Sequence, residues 1–193
     1  MPEFDAGRLL LAGTGALSVA LLPFWLNWLR ELRPDVELRV VLTKSAHRFV
    51  AAEALSALSR SEVIVDDWAA QPPGRAVHVE LAQWCETVVV YPATAHFLAR
   101  FALGVVDTPL LLALQAVTGT IGIAPALPPG VAGSTAMKRH LDLITADPRV
   151  VLAPTGTARS TTTGREESGS LLPLPDLLAR MRARSLRAGK GAA

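Results

Sequence analysis

Short, uniformly apolar runs alternate along the chain with longer segments of helical composition. The apolar runs predict strands at residues 8–12, 36–42, 63–65, 87–91, 119–124 and 150–152. The segments between and after them predict helices at residues 16–32, 46–59, 78–84, 97–103, 110–117, 132–144 and 171–184. Apolar strands that alternate with helices are typical of a parallel sheet covered by helices on both faces. We therefore expect a Rossmann-like, doubly wound α/β fold, formed by residues 1–193 as a single domain.

The apolar stretch at residues 9–28 has two interpretations. Its composition resembles a signal peptide or a membrane span, but Glu3 and Asp5 precede it where a signal peptide carries basic residues. Pro23 and two glycines interrupt it, and a buried strand that turns into a buried helix has the same composition. We predict a strand, a turn and a helix without membrane association, and membrane insertion stays the alternative.

Overall composition narrows the class of function. Hydrophobic residues make up 50% of the chain and charged residues 19%, which indicates a globular protein instead of a disordered one. A formal net charge of +2 is too small to indicate a nucleic-acid partner. The single cysteine, Cys85, excludes an intramolecular disulfide and fits a reducing, cytoplasmic location. His and Cys residues show no metal-ligand spacing, so we expect no metal site.

Polar residues follow three of the predicted strands. In doubly wound folds, ligands bind beyond the carboxyl ends of the strands. That rule selects three loops as one site, at residues 13–18, 43–45 and 92–96. Gly13 and Gly15 let backbone N–H groups approach a phosphate at a helix start, although a tight turn alone also explains them. Thr43 and Ser45 offer hydroxyl groups to the same crevice, and helix capping by Ser45 is the alternative.

The third loop and one histidine complete the candidate residues. In Pro92-Ala93-Thr94-Ala95-His96, small residues let a flat ligand lie against the backbone, and Thr94 can hydrogen-bond to its polar edge. His96 has a helix cap as its alternative role. His78 follows a Pro/Gly loop, and no Ser–His–Asp arrangement or metal cluster accompanies it. From the residues alone, a structural role for His78 is the simpler interpretation.

Residues 155–170 differ in composition from everything before them. They are small, rich in hydroxyl groups and punctuated by glycine, which favours a disordered surface loop. A structureless stretch of this length inside a compact domain is also typical of a lid or a binding loop. We therefore treat this segment as a candidate mobile substrate loop.

Four segments of the chain together resemble one known family. They read LLLAGTGALSV, VVLTKSAHRFV, VHVELAQWCETVVVYPATAHF and ALGVVDTPLL. In turn they are similar to a first phosphate loop, a Ser/Thr turn after the second strand, a catalytic-histidine segment with its Pro-Ala-Ser-Ala-Asn-Thr motif, and a Gly-x-x-Asp-Asn-Leu-Leu stretch. The family is that of the homo-oligomeric flavin-containing cysteine decarboxylases. It includes the peptidyl-cysteine decarboxylases of lantibiotic and linaridin biosynthesis, such as the cypemycin type, and the resemblance extends over about residues 9–178.

The resemblance implies FMN as the cofactor. The matching flavin-binding positions are Gly13, Thr14, Gly15, Ser18, Thr43, Ser45, Phe49, Pro92, Ala93, Thr94, His96 and Asp107. It also implies that His78 is the catalytic histidine and that Gly164 and Arg165 lie in a substrate clamp. A homotrimer that assembles into a homododecamer, with FMN held between subunits, is the implied assembly.

The implied reaction is oxidative decarboxylation of the C-terminal cysteine of a ribosomally made precursor peptide. His78 would position or deprotonate the substrate, and a hydride would leave the cysteine Cβ for the flavin. Loss of carbon dioxide would then give an aminoenethiol for aminovinyl-cysteine formation. Phosphopantothenoylcysteine decarboxylase is the nearest alternative, but its non-oxidative outcome uses a loop cysteine, and residues 155–170 contain none. His78 weighs against the related flavin prenyltransferases.

Two positions depart from the family pattern. Pro128 stands where family members carry an Asn that contacts the substrate carboxylate, and proline has neither a side-chain amide nor a backbone donor. His96 stands at the Asn position of the Pro-Ala-Ser-Ala-Asn-Thr motif. These departures keep two further alternatives open, another thiol-acid decarboxylase and a non-catalytic flavoprotein subunit.

Overall fold

The computed structural model describes residues 7–159 and 164–191 of the chain. Six strands form one parallel sheet: β1 Arg8–Gly13, β2 Glu37–Thr43, β3 Val63–Asp66, β4 Thr87–Thr94, β5 Thr120–Ala126 and β6 Val150–Leu152. Their order in the sheet is β3-β2-β1-β4-β5-β6. The chain first winds outward from β1 to β3 and then crosses over to build β4 to β6 on the other side. A crevice therefore opens between the carboxyl ends of β1 and β4, where the direction of winding reverses.

Helices cover both faces of this sheet. In the described residues the α-helices are α1 Leu22–Leu32, α2 Ala52–Ser59, α3 Val77–Trp84, α4 Ala95–Ala102, α5 Pro109–Ala116, α6 Thr135–Ala146 and α7 Leu174–Gly191. Leu9 and Leu11 of β1 pack with α1, α2 and α7, whereas Leu10 and Ala12 pack with α3 to α6. The predicted doubly wound α/β fold is confirmed. No helix among the described residues has the length and apolar character that crossing a membrane requires.

The helices predicted to begin at residues 16 and 46 begin six residues later in the structure, at Leu22 and Ala52. Leu17–Leu21 forms a 3₁₀ turn, and α1 begins at Leu22 with Pro23 in its first turn. Proline is tolerated there because the first N–H groups of a helix have no partner inside the helix. After β2, Ala46–Arg48 forms a second 3₁₀ turn, and α2 begins only at Ala52. The loops after β1 and β2 are therefore followed by a tighter turn before each helix.

The segment predicted as an irregular loop contains an antiparallel hairpin, β7 Gly156–Arg159 and β8 Glu166–Ser170. The expectation of a structureless segment is corrected for these strands, because composition does not reveal pairing, and residues 160–163 lie outside the described residues. Just after β5, the Leu127 N–H donates to the Gly169 carbonyl (3.1 Å). Gly169 has φ = 114°, and a Cβ there would lie 2.5 Å from the Leu127 carbonyl oxygen. This approach, which requires glycine, holds the hairpin at the carboxyl end of β5.

Candidate functional site

Thr14 joins the loop after β1 to the end of β4. Its hydroxyl donates to the Pro92 carbonyl (2.8 Å) and accepts from the backbone N–H of Thr94 (2.9 Å). Its own N–H also donates to the Pro92 carbonyl (3.2 Å). Thr14 is buried, so its hydroxyl holds the two loops together from inside the protein. Two of the three predicted loops are thereby joined at the reversal point of the sheet.

Gly15 brings the loop after β2 to the same place. A Cβ on Gly15 would lie 2.3 Å from Ser45 Oγ and 2.5 Å from Ser45 Cβ, so only glycine allows this approach. Ser45 Oγ in turn lies 3.2 Å from Thr43 Oγ1, within hydrogen-bond distance. Gly13 has a different role, since a Cβ there would lie within 2.9 Å of three core side chains. The three loops selected from the sequence therefore converge, and we call them the loop cluster (residues 13–18, 43–45 and 92–96).

Several backbone N–H groups at the start of the loop cluster have no acceptor among the described residues. The Ala16 N–H is used inside the loop, where it donates to the Thr14 carbonyl (2.8 Å). The N–H groups of Gly15, Leu17 and Ser18 make no hydrogen bond with other described residues. Because N–H groups at a helix start carry partial positive charge, this turn suits an anion such as a phosphate.

The other residues of the loop cluster lie in the strand and at the helix that follows it. Ala93 is fully buried in β4. The Thr94 hydroxyl accepts from the backbone N–H of Phe97 (3.3 Å) and caps α4. His96 is exposed in the first turn of α4, so it does not provide the cap. Phe49, just beyond the 3₁₀ turn after β2, is 38% exposed and presents an apolar surface there.

Asp107 lies outside the loop cluster, in the segment between α4 and α5, where it forms an ion pair with Arg100. That segment is anchored by Asp66 at the end of β3, which accepts from the backbone N–H of Leu110 (2.8 Å). Asp66 is 4% exposed. Burial raises the pKa of its carboxyl, and the Leu110 N–H opposes that shift. Sequence reasoning did not assign a role to Asp66, because its partner, the Leu110 N–H, lies far along the chain.

His78 lines a different cavity from the loop cluster. It is half-buried in the first turn of α3, in a groove of about 720 Å³. The groove runs along α3 and α5 and reaches Arg8 and Glu86, next to the amino ends of β1 and β4. Among the described residues that line it, none belongs to the loop cluster. In this groove, the predicted catalytic residue therefore lies apart from the predicted cofactor-binding loops.

Trp68 is an aromatic neighbour of His78 that sequence reasoning also missed. The two ring centroids are 5.5 Å apart and the ring planes are inclined by 72°. Trp68 follows Asp67, whose carboxylate pairs with Lys44 (Nζ–Oδ2 2.7 Å). Lys44 lies in the loop after β2, so a chain of contacts leads from the loop cluster to His78. The available signal was Asp66-Asp67-Trp68 directly after a predicted strand, since polar residues also follow the strands before the other selected loops.

The two predicted substrate residues lie on the hairpin. Gly164 and Arg165 are exposed just before β8, and Gly164 has φ = 68°, a conformation that favours glycine. The close contact of Gly169 with the segment after β5 brings the base of this hairpin beside Pro128. Pro128 is exposed, and its carbonyl accepts from the Val131 N–H (3.1 Å) in a turn. The hairpin therefore begins next to the position where the family pattern has its Asn.

Metal and thiol chemistry find no support within residues 7–159 and 164–191. No group of three His, Cys, Asp or Glu side chains in these ranges could hold a metal ion. Cys85 is buried, and burial raises the pKa of its thiol. A raised pKa disfavours the thiolate, which is the reactive form of cysteine.

The sequence matches the family described as Flavoprotein over residues 3–180. The chain belongs to the Flavoprotein family. Its parallel sheet with helices on both faces agrees with the fold of solved flavoproteins to which it is similar.

One relative and two solved structures are similar to this chain over most of its length. Cypemycin cysteine dehydrogenase (decarboxylating) from a Streptomyces species is 32% identical over 152 residues, which are 79% of this chain and 78% of that protein. The crystal structure of the cypemycin decarboxylase CypD is similar with a TM-score of 0.77 at 30% identity, covering 96% of this chain and 97% of that chain. The FMN-dependent cysteine decarboxylase SpaF has a TM-score of 0.75 at 27% identity, covering 92% and 97% respectively.

Proposed function

We propose that this chain is an FMN-dependent enzyme that oxidatively decarboxylates the C-terminal cysteine of a ribosomally made precursor peptide. The observation that carries the proposal is the loop cluster, in which Thr14 and the close approach of Gly15 to Ser45 bring three strand ends together. Similar proteins named as a decarboxylating cysteine dehydrogenase and an FMN-dependent cysteine decarboxylase support both the reaction and the cofactor.

The donors of the loop cluster fit FMN. The N–H groups of Gly15, Leu17 and Ser18 would hold its phosphate at the start of the first 3₁₀ turn. The hydroxyl groups of Thr43 and Ser45, 3.2 Å apart, would bind polar groups of the same molecule. When bound, FMN supplies the acceptor for a hydride removed from the cysteine Cβ.

Other residues implied as flavin-binding serve the cofactor in different ways. Gly13 and Thr14 act indirectly, Gly13 through core packing and Thr14 through its hydrogen bonds to β4. Ala93 is buried in β4 and supports the backbone that carries Thr94. Phe49, His96 and Asp107 are proposed as further contacts to the cofactor. Pro92 contributes its carbonyl to the bonds with Thr14.

His78 serves this site from a second copy of the chain. It lines a groove along α3 and α5 that includes no residue of the loop cluster in the described part of the chain. A second copy whose loop cluster faces this groove would complete both cavities at once. The family resemblance implies a trimer as the smallest assembly of this kind, with a dodecamer built from trimers.

The role of His78 follows from its surroundings. Its Nδ1 is buried and has no hydrogen-bond partner among the described residues, and an imidazole nitrogen can accept a proton from a substrate group within hydrogen-bond reach. His78 would orient the substrate cysteine or remove its thiol proton. A sulfur anion favours hydride loss from Cβ, and the electrons released with carbon dioxide then delocalise onto sulfur as an enethiolate.

The substrate carboxylate needs a binding group other than Pro128. Arg165 is exposed on the hairpin whose base lies beside Pro128, and a guanidinium can bind a carboxylate with two parallel hydrogen bonds. Residues Gly164 and Arg165 are therefore proposed as the contacts to the peptide end. The hairpin would close over that end and exclude water from the reacting cysteine.

The reaction would stop at the oxidised product, an aminoenethiol suited to aminovinyl-cysteine formation. Reduction of the enethiol would require a reactive thiol near the substrate. Cys85 is the only cysteine of the chain, and it is buried with the pKa of its thiol raised. Cys85 lines the same groove as His78, but the raised pKa disfavours the thiolate that such a reduction would need.

A mass measurement tests the reaction. Purified protein with bound FMN is incubated with a peptide that ends in cysteine, and the same peptide ending in serine is the control. We expect a loss of about 46 mass units, carbon dioxide plus two hydrogens, from the cysteine peptide alone. A loss of about 44 would indicate non-oxidative decarboxylation. A yellow protein that leaves every cysteine-ended peptide unchanged would favour a non-catalytic flavoprotein and implicate Pro128.

Light scattering tests the assembly. A site shared between copies requires an oligomer at working concentration, and we expect the mass of a trimer or of a dodecamer. A stable monomer that still turns over the peptide would contradict the shared site, because His78 and the loop cluster would then act within one copy.

A further inference from the structure

The ring of Trp68 is in edge-to-face contact with His78. Their centroids are 5.5 Å apart and the ring planes are inclined by 72°. Aromatic rings prefer this arrangement because the positive edge of one faces the negative face of the other. Trp68 is 42% exposed, so packing in the core does not account for its presence here.

Hydrogen bonds do not hold the imidazole in place within the described part of the chain. Nδ1 is buried without a partner there, and no hydrogen bond of His78 with another described residue is formed. Histidines that act in catalysis are commonly oriented by a carboxylate or carbonyl that accepts their second N–H. His78 has no such acceptor among the described residues, and the ring contact with Trp68 is available to restrict its rotation.

The turn that carries Trp68 is itself held firmly. The Asp67 carboxylate accepts from the Ala69 N–H (3.3 Å), and Gln71 Nε2 donates to the carbonyls of Asp67 (2.7 Å) and Val65 (2.8 Å). Lys44 Nζ lies 2.7 Å from Asp67 Oδ2 and lowers the pKa of that carboxyl. The position of Trp68 is thus determined by β3 and by the loop after β2.

We propose that Trp68 is a positioning residue, whose indole fixes the orientation of the His78 imidazole and ties it through Asp67 and Lys44 to the loop after β2. This inference rests on the proposed function, in which His78 acts on the substrate cysteine. A proton acceptor must lie within hydrogen-bond reach of the group it serves. A ring free to rotate spends less time in that position, so turnover falls while binding of the peptide is kept.

Matched variants test the proposal in the FMN-loaded protein. Trp68→Ala removes the ring, and Trp68→Phe keeps a smaller aromatic face. Phe24→Ala is the control, because it removes another exposed ring, one whose ring contact is with Trp25. We expect kcat of Trp68→Ala to fall about tenfold to a hundredfold, the size of effect that misplacing a catalytic group produces. KM for a cysteine-ended peptide should stay within about twofold, because the contacts that bind the peptide before the reaction are unchanged. Trp68→Phe should recover most of the loss, and Phe24→Ala should match the wild type.

A spectroscopic measurement makes the test independent of turnover. The imidazole C–H signals of ring-labelled histidine are assigned to His78 with the variant His78→Asn. An indole ring at this distance shifts those signals through its ring current, so Trp68→Ala should move them and Phe24→Ala should not. Light scattering on each variant reports whether the assembly is intact.

The outcomes separate this inference from the proposed function. Unmoved His78 signals in Trp68→Ala, or wild-type kcat, would overturn the positioning role even if the enzyme decarboxylates peptides. Equal loss of activity in Trp68→Phe and Trp68→Ala, together with dissociation of the oligomer, would identify Trp68 as an interface residue instead. If the wild type converts no peptide while the His78 signals still respond to Trp68→Ala, the ring contact stands and the proposed reaction fails.

Discussion

The loop cluster and the His78 groove differ in how much of each is built by a single copy of the chain. In the loop cluster, three strand ends meet through direct contacts: Thr14 bonds to Pro92 and Thr94, and Gly15 lies against Ser45. The groove is an open surface along α3 and α5, in which the His78 Nδ1 has no partner among the described residues.

The difference has a topological cause. Parallel strands end at the same edge of the sheet, so reversal of winding between β1 and β4 brings their loops together in every copy. A helix surface such as that of α3 is brought near a ligand only if something else covers it. We therefore expect changes in the cluster to alter flavin binding and changes in the groove to alter turnover.

The largest expected effect comes from His78→Asn. Turnover of a cysteine-ended peptide should fall about 10²- to 10⁴-fold, the usual contribution of a proton-transfer group, while flavin content stays that of the wild type. His140→Asn is the matched control, because His140 is also half-buried with an unpartnered Nδ1 among the described residues. A colourless His78→Asn protein would break the separation between the two regions.

Gly15→Ala should weaken the binding of flavin, which His78→Asn should leave unchanged. The new Cβ would lie 2.5 Å from Ser45 Cβ and 3.1 Å from the Ser45 carbonyl carbon, so the backbone of one loop has to move. Overpacking costs about 1–3 kcal/mol, which corresponds to about 5- to 150-fold in flavin affinity. Flavin fluorescence titration measures the loss. Gly133→Ala, where a Cβ meets open space, should bind flavin normally, and equal behaviour of the two variants would count against the cluster as the flavin site.

Thr14→Val tests the bond that joins the loops. Valine keeps the shape of threonine but leaves the Thr94 N–H without its acceptor, which costs about 1–3 kcal/mol when such a group is buried. Urea unfolding should show a decrease of that size in the free energy of unfolding, together with weaker flavin binding. Thr14→Ser retains the hydroxyl and should restore both. If Thr14→Val loses stability but keeps full flavin affinity, Thr14 serves the fold alone.

Asp66→Asn has the smallest expected effect, and it depends on pH. Burial raises the pKa of Asp66 in the folded state, so this group's contribution to stability is lost as pH rises from the unfolded pKa through the folded one. Asparagine still accepts from the Leu110 N–H and does not titrate. The variant should therefore gain stability relative to the wild type above that window and not below it.

Asp147→Asn provides a control of opposite sign. Arg149 lowers the pKa of Asp147 in the folded state. The contribution of Asp147 to the free energy of unfolding is therefore present at neutral pH and disappears as pH falls through the folded pKa. Urea unfolding at several pH values measures both variants. If the stability difference from the wild type changed with pH in the same direction for both variants, the raised pKa of Asp66 would be contradicted.

Much of the fold could be predicted because its signals are local. The strand at residues 87–91 was found from a continuous apolar run, although β4 extends to Thr94, since pairing of Ala93 with Pro125 prolongs it. The hairpin of β7 and β8 was not predicted from the sequence. Its pairing of Thr157 with Ser168 and its contact between Gly169 and Leu127 join residues distant in the chain, and hydroxyl-rich composition does not record such partners.

The candidate site residues also fall into two groups, those that local sequence signals reveal and those whose role depends on a distant partner. Loops at strand ends could be selected from the sequence, because the rule that places ligands there needs only the order of strands and helices. Trp68 and Asp66 could not be assigned roles, since their meaning depends on His78 and Leu110, which lie 10 and 44 positions further along the chain.

The sequence by itself determined the layered α/β architecture and the three loops of the cluster, because apolar periodicity and glycine placement act over a few residues. Tertiary structure alone decided that Thr14 bonds within the protein, that Gly15 must be small to meet Ser45, and that His78 faces a groove outside the cluster. The physical reason is that hydrogen bonds and close contacts between distant segments exist only once the sheet has brought those segments together.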